Sequence, residues 1–173
     1  MVKIAIILVA LFTTAFSAEC GISSHPADVA LEKIFRQHEA EFSRLVVMSR
    51  ADSRVMRIAP NFTWLTDNAS WPRSGDELGF SQERWDEYRQ LFRMLGLKDG
   101  LVRYADADLI YLFASSKGLV TGGSGKGYVY SERDLTPTTD SLDQVPPELL
   151  QSSVHKIVYK RIEPNWYLFL DMH

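Results

Sequence analysis

Five consecutive apolar residues, Trp166-Tyr167-Leu168-Phe169-Leu170, stand near the end of the 173-residue chain with no polar residue among them. A strand sends successive side chains to opposite faces, so such a segment leaves no face for solvent and needs apolar cover on both. It therefore has to lie inside a sheet, with a helix against one side and other apolar groups touching the second. Glu163-Pro164-Asn165 directly before it is a short turn, and residues 156–162 before that are strand-like, which predicts an antiparallel hairpin.

Residues 101–104, 109–114 and 127–131 read as further strands, and Arg54-Val55-Met56-Arg57-Ile58 alternates with period two before Pro60, with a short run at 62–65 behind it. Two segments read as helices. The first opens at Ser24-His25-Pro26 and carries Leu31, Ile34, Phe35, Phe42, Leu45 and Val46 at spacings of three and four to about residue 48. His38 falls inside that stripe as a core-edge residue. The second is capped by Ser81, with Phe80 and Trp85 placed as a hydrophobic staple. Trp85, Tyr88, Phe92 and Leu95 form its buried stripe, and Gly96 is placed to end it. The expected fold is thus α+β: two helices packed on an antiparallel sheet of about five strands.

Ahead of this domain, Met1-Val2-Lys3 and the apolar run Ile4 to Phe12 precede the small residues of positions 13–18. The uncharged stretch is short for a bilayer of about 30 Å, so it reads as a cleaved signal peptide, residues 1–17, rather than an anchor. The domain would then occupy residues 18–173 and be periplasmic or secreted. The single cysteine, Cys20, makes no internal disulfide. It stands where a bacterial lipoprotein carries its lipid, but Glu19 replaces the small residue that such signals place before it. A membrane would be met only if Cys20 were lipidated. A brief signal and the lack of paired cysteines both suit a bacterial chain.

A formal charge of −3, with no basic run, gives phosphate backbones little to bind and argues against nucleic acid. The run Gly122-Gly123-Ser124-Gly125-Lys126-Gly127 is not a phosphate loop, because Val120 stands where the first glycine is required and Gly127 where Ser or Thr is required. Nor is it a nucleophile elbow, which would need glycine at Lys126. It reads as a flexible hairpin loop. Ser153-Val154-His155-Lys156 matches Ser-x-x-Lys without that family's other elements. Asp106-Ala107-Asp108 offers two carboxylates on one strand face for a cation or for acid catalysis, or else an aspartate-rich turn. His25, His38, His155 and His173 lack any local metal-ligand spacing, so no metal or other cofactor is expected from sequence.

With no legible active site, the long connection 132–154 and the polar loops point to a non-catalytic exported binding protein: an inhibitor, an immunity-type factor or an envelope accessory protein. Its partner would be a protein in the cell envelope or outside the cell, met through Trp71, Gly123 and Lys126 and the 132–154 segment. The alternative is a small exported hydrolase in which His155 works with Asp106 or Asp108.

Overall fold

Alternation in the strands and a 3.6-residue stripe in the helices separate the apolar side chains into two layers, and the computed structural model shows how they meet. It describes residues 25–65, 69–70, 80–104, 108–119, 122–145 and 155–173. The expected signal segment, Cys20, Trp71 and Asp106 lie outside these residues. Helices α1 (Asp28–Gln37) and α2 (Glu39–Ala51) are followed by strands β1 (Val55–Ile58), β2 (Thr63–Leu65) and β3 (Ala69–Ser70). Helix α3 (Gln82–Leu95) leads into β4 (Gly100–Tyr104), β5 (Leu109–Leu119), β6 (Gly122–Tyr130), β7 (Lys156–Glu163) and β8 (Trp166–Met172). The strands form one antiparallel sheet in the order β3-β2-β1-β4-β5-β6-β8-β7. The class is α+β, with three helices and eight strands among the described residues where two and about five were expected. No helix among the described residues is long and apolar enough to cross a membrane.

The segment 166–170 sits as its composition requires. β8 is flanked by β6 and β7. Trp166 and Leu168 join the cluster beneath the helices, while Tyr167 and Phe169 join a second cluster on the other face. The turn into β8 is closed by Asn165 at φ 66°, a left-handed conformation that asparagine tolerates better than most residues.

The first expected helix is two helices, broken at His38, whose ψ of 31° takes it out of the helical path. Seven residues in a straight helix span about 10.5 Å. Across the break, the rings of Phe35 and Phe42 lie 5.1 Å apart, and both reach Trp166, at 5.1 and 5.7 Å. The apolar stripe thus continues while the axis bends over the sheet. α3 follows its sequence signals closely: Ser81 Oγ accepts from the Arg84 amide at 3.2 Å, and Gly96 closes the helix at φ 67°. Its aromatic stripe is core, with Trp85 donating to the Ala59 carbonyl and Tyr88 to Asp52.

The Gly122–Gly127 run is strand, not a hairpin loop. The register pairs Gly127 with Phe113 on β5 and with Phe169 on β8. The two phenyl rings meet over the glycines at 5.0 Å, edge to face. A Cβ on Gly125 would lie 2.9 Å from the Phe113 ring, and one on Gly127 would lie 2.0 Å from the Leu112 carbonyl oxygen. Glycine makes room for aromatic rings at 125 and for the β5 backbone at 123 and 127, so a composition that reads as loop marks a central strand.

Candidate functional site

Helices cover one face of the sheet. On the other, side chains of four strands create a floor of aromatic rings: Tyr104 from β4, Tyr111 and Phe113 from β5, and Phe169 from β8, with Ile157 of β7 beside them. Tyr111 packs edge to face on Tyr104 at 5.8 Å and on Phe169 at 4.9 Å. Its hydroxyl shares a 2.8 Å hydrogen bond with that of Tyr159, and burial together with this bond pushes its pKa far above the ordinary tyrosine value. A cavity of about 610 Å³ opens over this floor, a size that suits a small organic ligand.

Two polar groups flank the cavity. Arg57 on β1 lies over the rings of Phe62 and Phe113, at 5.1 and 6.0 Å. Burial lowers its pKa, yet a guanidinium keeps its charge. Its Nε is buried without a hydrogen bond, and the Asp99 carboxylate acts on it through charge without a contact ion pair. At the other side stand His155, Asp171 and His173. Asp171 and His173 are alternate residues at the end of β8 and so share a face. The pairing of Lys156 with Met172 carries His155, one residue before β7, up to both. His155 Nε2 lies 2.6 Å from Asp171 Oδ1 and His173 Nε2 lies 3.3 Å from Oδ2, with the two imidazoles stacked at 4.1 Å and 8°.

Sequence reasoning singled out His155 and missed Asp171, His173 and Arg57. The carboxylate that reaches His155 is Asp171. Asp108 instead occupies the turn between β4 and β5 at φ 51°, exposed, and makes no contact with it. The one sequence signal available was the Asp-x-His alternation that continues the 166–170 strand.

The proposed binding residues Gly123 and Lys126 fall elsewhere. Gly123 is held in β6, its carbonyl accepting from the His173 amide. Lys126 is 2% exposed, with its ammonium 2.8 Å from Asp28 and 2.6 Å from Asp143. It faces the helix side and is not presented to a partner. Asp28 also accepts from the Leu142 amide at 2.8 Å, and Lys160 bridges Asp28 and Glu32. Burial alone would raise the Asp28 pKa, but the Lys126 and Leu142 hydrogen bonds and the lysine charges hold it below the ordinary carboxylate value. Together these groups strap the described part of the long connection, with Leu142 buried, onto α1 and the sheet. Thr138 and Thr139 add a short pairing on Tyr159 at the outer side of β7.

Comparison with known protein families, curated proteins and solved structures finds no match. The reading of the site rests on its own chemistry.

Proposed function

We propose that this is a non-catalytic binding protein whose ligand is a small, largely apolar molecule carrying an acidic group, held on the open face of the sheet. The aromatic floor under a cavity of about 610 Å³ is the observation that carries this reading. Rings stacked edge to face offer broad apolar contact at little conformational cost. Arg57, charged, partly desolvated and with its buried Nε unbonded, supplies the complement to an acid, in competition with the charge of Asp99. The export address and a macromolecular partner at the 132–154 segment remain part of the proposal on sequence grounds alone. Residues 132–145 pack against the domain, which leaves less of that connection free to reach a partner than its length suggests.

The test uses anilinonaphthalene sulfonate, an aromatic anion, and phenylnaphthylamine, its uncharged counterpart. One saturable site for both is expected by fluorescence, with Ile157→Trp abolishing it by filling the cavity. Arg57→Met should weaken the anion selectively. Equal loss of both probes in Arg57→Met would remove the acid from the proposal, and undiminished binding in Ile157→Trp would remove the pocket.

The hydrolase reading draws on one observation, the 2.6 Å contact that orients His155 on Asp171 at the cavity edge, an arrangement suited to a general base. Ser116 lines the same cavity but makes no hydrogen bond to either histidine among the described residues. Turnover of an aromatic ester that disappears in His155→Ala and Ser116→Ala would favour hydrolysis over binding.

A further inference from the structure

We infer that His155, Asp171 and His173 form a binding site for a single divalent transition-metal ion, Zn2+ being the ion whose preferences the donors fit best. Two imidazole nitrogens and one carboxylate oxygen, all within 4.8 Å of one another, make a donor set of borderline softness. Such a set suits zinc and its first-row neighbours better than calcium or magnesium, which favour oxygen alone.

The backbone supplies the preorganisation. Asp171 near the end of β8 and His173 one residue past it are two residues apart, and the β7–β8 register brings His155 across from His173. The imidazoles lie parallel, 4.1 Å apart, and both present Nε2 to the same carboxylate. An ion about 2.1 Å from each donor needs donors about 3 Å or more apart. The 2.6 Å contact of His155 with Asp171 must therefore open slightly, and the 3.3 Å contact already fits. His155 and His173 are about half exposed, so their side chains are free to open that contact and to tilt out of the parallel stack until both ring planes meet at the ion, while Asp171 is held at 15% exposure. Each imidazole would coordinate through Nε2 with its proton on Nδ1. Three protein ligands leave coordination positions vacant, as in zinc sites that accept water or a ligand atom, and the three residues border the cavity over the aromatic floor.

The site does not depend on the organic ligand proposed above, and its test omits that ligand. The protein, purified without a polyhistidine tag and stripped with chelator, is titrated with Zn2+ by calorimetry, and with Co2+ by visible absorption. One equivalent is expected to bind, with ligand-field bands of a site containing imidazole nitrogen. Asp171→Asn and His173→Gln, confirmed as folded by circular dichroism, should each weaken binding by at least the roughly 10-fold to 100-fold that loss of an outer-shell partner costs. His38→Gln should bind as the parent does. On the unaltered protein, Zn2+ should shift the imidazole NMR signals of His155 and His173 and leave those of His25 and His38 in place. Absence of binding to the parent protein, binding unchanged in both ligand variants, or shifts at His25 or His38 instead would each overturn the assignment.

Discussion

The two faces of the sheet are built from the same strands and the same residue types, yet they end in different states. Beneath the helices, Phe42, Tyr128, Leu168 and Val158 are wholly buried, and buried polar groups are matched: the Tyr128 hydroxyl donates to the Leu31 carbonyl, and Lys126 sits between two carboxylates. On the open face, Tyr111 and Phe169 are buried by their neighbours' rings, while Tyr104 is 48% exposed and Arg57 keeps unused hydrogen-bonding capacity. A face that is needed only for stability closes over its apolar area. One that, among the described residues, leaves aromatic rings beneath a cavity, flanked by charged and titratable groups, is the face on which we propose that the ligand sits.

The contrast can be broken most severely at Phe42. Phe42→Ala removes a ring that touches Phe35, Tyr128 and Trp166, and should cost about 4 kcal/mol in denaturant unfolding. Next comes Lys126→Ala, which takes the closest cation from buried Asp28, leaving Lys160 and the Leu142 amide to hold it, and should cost about 2 kcal/mol, the worth of a hydrogen bond to a charged group. A surface lysine would show almost nothing under the same change, so this variant tests whether the strap over α1 is part of the closed face. Phe113→Ala, on the open face and only partly buried, should cost about 1 kcal/mol. Its main effect should be loss of affinity for the aromatic probes. If it destabilises as much as Phe42→Ala, the open face is a second core rather than a site.

The smallest effect concerns pH. His25 sits between Ser115 and Ser124, 2.7 Å from each hydroxyl, and desolvation, with the charges of Lys117 and Lys126, lowers its pKa below 6.5. A lowered folded-state pKa means that the unfolded chain takes up the proton first. This contribution to stability is therefore complete above pH 6.5 and is lost as pH falls from there toward the depressed native value. Asp28 behaves alike in a lower window, its contribution lost below pH 3.8. His25→Gln should flatten the decline of melting temperature just below pH 6.5 and leave the lower decline intact. An unchanged slope there would show that the decline has another source.

What could be read from sequence follows the same division. The closed face was legible because its signals are local: the Ser81 cap, the Trp85 to Leu95 stripe and the unbroken 166–170 strand each announce themselves within a few residues. β6 was misread because its glycines owe their place to groups on other strands, Gly125 to the rings of Phe113 and Phe169 and Gly123 and Gly127 to the β5 backbone, which no window around residue 125 contains. The same non-locality hid the site. His155 and Asp171 are 16 residues apart and meet through the β7–β8 register, and Arg57 reaches the cavity from the far side of the sheet order. Pairing His155 with Asp106 or Asp108 relied on residue type alone; Asp106 lies outside the described residues, and among the described ones the carboxylate on His155 is Asp171, not Asp108.

The claim that the open face is the binding face is tested most directly by methyl NMR of the protein titrated with anilinonaphthalene sulfonate. Val102, Leu109 and Ile157 border the cavity, while Leu31, Leu45 and Val158 lie under the helices. Saturable shifts confined to the first three methyl groups are the predicted result; shifts in the second three, or no saturable shift at all, would contradict it.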